Sequence, residues 1–300
     1  MTDSTVSVVI PLYNHERYID AAMESLMAQT LPPSEIIIID DGSSDGSFAR
    51  AQSWAQRDAR VCCSSRANQG AHFTLNEAIE KASGKYISIL NSDDLYASER
   101  LALCCDALEK DPELSAVGSG LAFIDGAGKV KKNPWYQKAL EFYRQVDDLS
   151  LGLINGNFLM TTSNLVVRRE LFSEIGLFAN LRYAHDLDFF LRLVSCDKKL
   201  LRLEQPLLHY RIHDSNTISE DGLKVKAEWA AVVAYYLYFS SESFDASYLL
   251  RLAEITDRHK LTRLLAFFYL QFKRMQKDDV RPDSYLDDED FTAFLAKVVR

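Results

Sequence analysis

Short unbroken apolar runs alternate with stretches in which apolar residues recur at every third or fourth position. The first run, Val6-Ser-Val-Val-Ile10, stops at Pro11 and predicts a strand. Asn14 then stands where an N-cap would, ahead of a helix to about Gln29 with Ile19, Met23, Leu26 and Met27 on one face. Pro32-Pro33 ends that helix. Glu35-Ile-Ile-Ile-Ile39, Val61-Cys-Cys-Ser64 and Tyr86-Ile-Ser-Ile-Leu90 predict three more strands, with helices over Ser47 to about Arg57 and over His72 to Ala82. Strands apolar at nearly every position belong between two layers of helix. The pattern therefore predicts right-handed βαβ units around a mostly parallel sheet.

Beyond residue 112 the rhythm loosens. Ala116 to Asp125 and Asn164 to Arg168 predict strands, while Glu170 to Ile175 and Leu187 to Val194 predict helices. From about Leu223 the chain is helical and aromatic, through Trp229, Tyr235, Tyr236, Tyr238 and Phe239 and then Leu261 to Gln276. The division expected is 1–222 for an α/β domain, split into halves 1–112 and 113–222, and 223–300 for a helical C-terminal extension.

Ligands of parallel α/β sheets bind at the carboxyl ends of the strands. Polar clusters sit at those ends here: Pro11-Leu-Tyr-Asn14 after the first strand, Asp40-Asp41 after the second, Asn91-Ser-Asp-Asp94 after the fourth. They converge on one rim.

Composition narrows the classes. Lys plus Arg number 34 against 43 Asp plus Glu, a formal charge of −9 with no basic tract, which argues against nucleic acid as a partner. No apolar run approaches the roughly 20 residues of a membrane span, and Met1-Thr-Asp-Ser-Thr5 lacks the pattern of a signal peptide. The five cysteines (Cys62, Cys63, Cys104, Cys105, Cys196) show neither zinc spacing nor a disulfide framework. Reduced thiols in a cytoplasmic protein are the expectation.

Adjacent ionised acids cannot both enter a core without partners. Asn91-Ser-Asp-Asp94 suits a hard divalent cation shared with substrate phosphates, or it is a polar turn before a helix. Asp40-Asp41 suits a carboxylate accepting from a base N–H, with Tyr13 stacked on the ring, or a turn that uses Asp, Gly and Ser for their backbone tolerance. Gly42-Ser-Ser-Asp-Gly46 is not the G-x-G-x-x-G fingerprint of a dinucleotide site.

In order along the chain, Val8-Val-Ile-Pro-Leu-Tyr-Asn14, Ile38-Ile-Asp-Asp-Gly-Ser-Ser-Asp45, Asn68-Gln-Gly70 and Ala82-Ser-Gly-Lys-Tyr-Ile-Ser-Ile-Leu-Asn-Ser-Asp-Asp94 resemble glycosyltransferase family 2. The resemblance covers residues 6 to about 217. It implies the GT-A fold, a Rossmann-like α/β core, and an inverting, metal-dependent transfer from a nucleotide diphosphate sugar, often UDP-linked. It implies that Tyr13 and Asp41, with Pro11 and Asp40 beside them, hold the uracil. It makes Asp93 and Asp94 the metal-binding acids for Mn²⁺ or Mg²⁺, with Asp93 also beside the nucleotide. That acidic motif usually begins with Asp, and here Asn91 stands first. Asn164-Leu-Val-Val-Arg-Arg169, Gly176-Leu-Phe178 and His185-Asp-Leu-Asp-Phe-Phe-Leu-Arg192 resemble the acceptor half, which makes Asp186 the catalytic base although His185 replaces the usual Glu before it. Leu208-His-Tyr-Arg-Ile-His-Asp214 resembles the segment whose last His, His213, approaches the metal, with Arg211 near the diphosphate. A UDP-sugar donor and a saccharide or lipid-linked saccharide acceptor follow, in surface polysaccharide or glycoconjugate assembly.

The chemistry agrees with the residue types. A sugar hydroxyl attacks well only when a positioned base takes its proton, and the departing diphosphate needs its charge neutralised. Other readings stay open. Asp186 and Asp188 also suit the first turn of a helix through its dipole, His213 suits a solvated loop, and Arg192 and Arg211 suit structural ion pairs. A sugar-nucleotide nucleotidyltransferase is one rival, but it would carry a Gly-rich basic loop where Tyr13-Asn-His-Glu16 stands. A non-catalytic UDP- or sugar-binding module is the other, favoured only by Asn91 and His185. Lys260, Arg263, Lys273, Arg274 and Lys277, interleaved with Leu264, Leu265, Phe267, Phe268, Tyr269 and Phe272, suit either peripheral contact at the inner face of a membrane or packing on the core or a second copy in a homodimer.

Overall fold

A computed structural model of the 300-residue chain describes residues 5–214, 216, 219–240, 244–286, 291 and 294. The chain forms two compact units. One comprises Met1–Asn133, Leu159–Phe178 and Lys198–His213; the other comprises Pro134–Phe158, Ala179–Asp197 and Asp214–Arg300.

The first unit holds the strands β1 (Val6–Leu12), β2 (Glu35–Asp40), β3 (Val61–Ser65), β4 (Tyr86–Ile89), β5 (Leu95–Tyr96), β6 (Leu114–Asp125), β7 (Val130–Lys131), β8 (Val166–Arg168) and β9 (Lys199–Ile212). Its helices are α1 (Ile19–Met27), α2 (Ser47–Arg57), α3 (Ala71–Lys81), α4 (Arg100–Lys110) and α7 (Leu171–Ile175). Among the described residues the strands make one sheet in the order β3-β2-β1-β4-β8-β6-β9-β5, with β7 on β6. The strands β3, β2, β1 and β4 run parallel, so the chain leaves β1, β2 and β4 at the same edge. Val8, Val9, Ile10, Ile36, Ile38, Ile39, Ile87 and Ile89 are buried, as strands covered on both faces require.

Two local features differ from the sequence pattern. Asn14 does not cap α1, which starts at Ile19 after Tyr18 without a side-chain cap. Asn14 instead adopts a left-handed φ of 51°, which Asn tolerates, and its Oδ1 accepts the Ser44 N–H at 2.8 Å. The segment 199–212, unassigned by periodicity, is a long strand beside β6. Its Pro206 falls where the β6–β9 register shifts, the place where a strand accommodates a residue without an N–H.

The second unit is helical: α5 (Pro134–Val146), α6 (Leu149–Asn155), α8 (His185–Ser195), α9 (Gly222–Ser240), α10 (Ala246–Arg258) and α11 (Thr262–Phe272). It thus takes in segments from within 113–222 as well as the C-terminal helices. Ala227, Ala230, Ala231 and Ala234 of α9 form a small-residue face against which Leu261, Leu264, Phe268 and Phe272 pack. The aromatic residues of α11 are therefore largely spent on the core, while Lys260, Arg263, Lys273 and Arg274 are exposed. The Lys277 side chain lies outside the described residues. Among the described residues no helix is long and apolar enough to cross a membrane.

Candidate functional site

Loops leaving β1, β2 and β4 are stitched together at the carboxyl edge of the first unit. The Asn14 N–H donates to Ser43 Oγ at 2.9 Å and the His15 N–H to Ser47 Oγ at 2.8 Å, which joins the β1 loop to the β2 loop. His15 Nδ1 lies 2.7 Å from Ser92 Oγ, which joins the β1 loop to the β4 loop. Pro11 pairs with Ile39 in the sheet, and the Tyr13 ring beyond it is 48% exposed.

Asp40, which ends β2, and Asp41 after it are buried and engaged. Asp40 accepts Ser65 Oγ at 2.6 Å and the Ser43 N–H at 3.2 Å, which shapes the turn. Asp41 accepts the Gln69 and Gly70 N–H groups at 2.8 and 3.0 Å and pairs with the Arg66 guanidinium. A carboxylate offers about four acceptor positions, so Asp41 both holds the 66–70 loop and keeps accepting capacity. Gly70 occupies φ 95°, a left-handed conformation that suits glycine.

After β4, Asn91 is a pin. Its Nδ2 donates to Thr161 Oγ1 at 3.0 Å, its Oδ1 accepts the Thr162 hydroxyl at 3.2 Å, and its N–H donates to Ser163 Oγ at 2.9 Å. An amide supplies the donor and the acceptor together, which an aspartate cannot do when ionised.

Beyond Asn91, the ligand atoms of His15, Asp93 and His213 lie within 4.8 Å of one another. His213 Nε2 is 3.0 Å from Asp93 Oδ2, and the His213 ring stacks on Tyr18 at 5.0 Å between centroids. Asp94 accepts the Arg211 N–H at 2.9 Å with Oδ1, while its buried Oδ2 has no hydrogen-bond partner among the described residues. The buried Arg211 guanidinium reaches back to carbonyls, through Nε to Asp93 O at 2.7 Å and Nη1 to Asp125 O at 3.0 Å, and lies over Tyr18.

Electrostatics divide the acids. Burial raises the Asp93 carboxyl, but the His213 hydrogen bond and the His15 and His213 charges outweigh it and leave Asp93 below the usual carboxylate range. Burial and then the Asp93 charge push Asp94 well above that range, against the pull of Arg211. Burial also lowers His15, opposed by Asp93, and so favours the neutral imidazole that ligates metals. These donors fit a divalent cation. Two imidazoles and a carboxylate converge, and the lone Asp94 oxygen is a buried acceptor left unmatched. The imidazoles suit a first-row transition ion such as Mn²⁺ better than Mg²⁺, which prefers oxygen.

Asp186 lies in the second unit, in the first turn of α8. Asn157 Nδ2 donates to its Oδ2 at 3.0 Å and the Leu187 N–H to its Oδ1 at 2.7 Å. Burial, with a smaller push from Glu228, raises its carboxyl to about 7. Asp188 differs: it is fully buried in a pair with Arg192 at 2.8 Å, a packing role within the helix.

The first unit thus carries Pro11, Tyr13, Asp40, Asp41, Asp93, Asp94, Arg211 and His213 on strand ends and loops of one sheet, and Asp186 belongs to the other unit. Sequence reasoning passed over His15 and Tyr18. Their only sequence signal was position, in the loop leaving β1 at the rim where the other polar clusters end.

The model of glycosyl transferase family 2 matches residues 7–176. An uncharacterized glycosyltransferase of Rickettsia typhi (strain ATCC VR-144 / Wilmington) is 31% identical over 238 residues, across 77% of this chain and 71% of the relative. TuaG, a glycosyltransferase of Bacillus subtilis (strain 168) named for teichuronic acid biosynthesis, is 27% identical over 226 residues, across 75% of this chain and 85% of its own. Residues 1–349 of S. aureus TarS, solved in complex with UDP-GlcNAc, match with a TM-score of 0.64 at 15% identity, over 98% of this chain and 79% of that one. A longer TarS chain matches with a TM-score of 0.57, and this chain spans 44% of it. The fold is the GT-A fold that the sequence resemblance implied.

Proposed function

The chain belongs to glycosyl transferase family 2, and from that premise we propose that it moves a sugar from a UDP-linked donor to a hydroxyl of a saccharide or lipid-linked saccharide, with inversion, in surface polysaccharide or glycoconjugate assembly. The observation that carries this reading is the convergence of His15, Asp93 and His213 beside the unmatched Asp94 oxygen, at the strand edge where α/β sheets bind ligands. When bound, a divalent cation there supplies charge neutralisation for the departing diphosphate. Tyr13 offers an exposed ring for stacking on the base, and Asp41 retains capacity to accept from its N–H. Pro11 and Asp40 shape the loops that present them.

Asp186 is the general base in this reading. The acceptor oxygen forms its bond to the anomeric carbon as the bond from that carbon to the UDP oxygen breaks, and the hydroxyl proton passes to the Asp186 carboxylate. A base with a pKa near neutrality is ionised enough to accept and basic enough to drive transfer. No enzyme nucleophile is needed, so a single displacement inverts the centre.

The test is release of UDP from UDP-sugars with added Mn²⁺, with and without saccharide acceptors. Asp186→Asn is expected to abolish transfer while UDP affinity stays within about threefold, below the half-decade that ~0.7 kcal/mol represents. A binding module without turnover would bind UDP yet release none. A large loss of UDP affinity in Asp186→Asn would remove that residue from the role of base.

A further inference from the structure

We infer that Glu228, in α9, is a positioning residue for Asp186. The inference rests on the reading of Asp186 as the base. The Glu228 carboxylate accepts three successive backbone N–H groups: Arg182 at 3.0 Å to Oε1, and Tyr183 and Ala184 at 2.6 and 2.9 Å to Oε2. Ala184 is the N-cap residue of α8 and offers no side-chain oxygen to that helix. Three consecutive amides turned toward one anion form a concave nest, and an ionised acceptor makes these bonds stronger than a neutral one would. Glu228 therefore performs from another helix what the Glu of a capping box does locally, accepting the N-cap N–H. It fixes where α8 begins, and Asp186 stands two residues beyond.

Packing holds Glu228 itself in place. The side chain is 7% exposed, it follows the buried Ala227, and α9 packs on α8. A separate bond steadies the far side of the clasped segment, since the Arg182 guanidinium pairs with Glu220 at 2.7 Å. Burial bears most on the Asp186 charge, and among the described residues it is followed by the amides of Leu187 and Asp186 at the head of α8, by Asn157 after α6 and by Glu228 from α9. The two amides and Asn157 favour the carboxylate, whereas burial and Glu228 disfavour it. Glu228 thus sets the position of the base and also adds a small push to its proton affinity on top of burial, two effects that separate on substitution.

The experiment compares the full chain with Glu228→Gln and Glu228→Asp, each checked by circular dichroism and melting, in steady-state assays across pH and by carbon-13 NMR titration of the Asp186 carboxyl. Glu228→Gln keeps the shape but turns a donor toward the Arg182 N–H and removes the charge. It is expected to lower kcat on the order of 10- to 100-fold, the effect of a small misplacement, with KM for both substrates within about twofold. The acidic limb of the rate profile and the Asp186 titration should both move to lower pH, since the opposing charge is gone. Glu228→Asp keeps the charge but is too short to reach all three amides, so kcat falls while the Asp186 titration stays high. A folded Glu228→Gln protein with unchanged kcat and an unchanged Asp186 titration overturns the inference. If Glu228→Gln does not fold, wild-type kcat in Glu228→Asp overturns it. Activity in Asp186→Asn would instead sink the base assignment, because the NMR titration reads the Glu228 influence without activity.

Discussion

At Asp186, burial and a neighbouring carboxylate both oppose ionisation, and the consequence runs through stability as well as rate. The folded chain holds the Asp186 proton up to about pH 7, whereas an unfolded chain releases it near the ordinary carboxylate value. Between those limits the folded state binds the extra proton, so stability falls as pH rises through that window. Asp186→Asn removes the charge and is expected to melt higher than the parent at pH 8, with the advantage shrinking toward pH 4. Thermal denaturation at the two pH values checks it. Transfer should run in the opposite sense, rising with pH through about 7, as initial rates across pH will show. At the proposed cation site the expected effect concerns affinity. His15→Ala should weaken Mn²⁺ binding by at least the 10- to 100-fold that loss of an outer-shell contact produces, and should weaken Mg²⁺ less. Isothermal titration without donor reads both.

The strands of the parallel half were legible where apolar residues run unbroken, and helices where apolar residues recur at helical spacing. The runs at Val6, Glu35 and Tyr86 are strands because nearly every position faces a covering helix. The helix predicted over Ser47 to Arg57 is α2 with those bounds. Besides α5 and α6, which the sequence pattern left unassigned, two features departed from it for local reasons. Asn14 has the chemistry of a cap, but the Gly42–Gly46 turn beside it offered a better partner in the Ser44 amide. In β9, polar and apolar residues mix because the strand lies against β6 along its length, with its register broken near Pro206. Gly120 belongs to that break: a Cβ on it would lie 2.6 Å from Glu204 O and 3.0 Å from Gln205 O. Gly120→Ala should therefore cost about 1–3 kcal/mol, as overpacking does, measured by chemical denaturation.

At the scale of the whole molecule, the helices after residue 222 share a compact unit with α5, α6 and α8. The Ala face of α9 takes up the Phe268 and Phe272 side chains, and α8 packs on α9. A chain cut after Asp221 would leave the apolar side of α8 uncovered. It is expected to aggregate or bind hydrophobic dye, and to lose transfer even though Asp186 is retained. Sedimentation and dye fluorescence check this. A soluble, active product would show that the residues after 222 are a separable appendage.

Residue order alone determined the α/β class, the strand edge at which the polar clusters end, and the family, and it supplied most of the acids proposed for the site, since each depends on periodicity or on motifs contiguous along the chain. Tertiary structure decided what depends on partners distant in sequence. It brought His15 toward His213 and Asp93, tied Asn91 to Thr161 and Thr162, and set the Glu228 carboxylate under the amides before α8. Nothing local marks these pairings, because hydrogen bonds and electrostatics act through space across a few ångströms and are indifferent to separation along the chain.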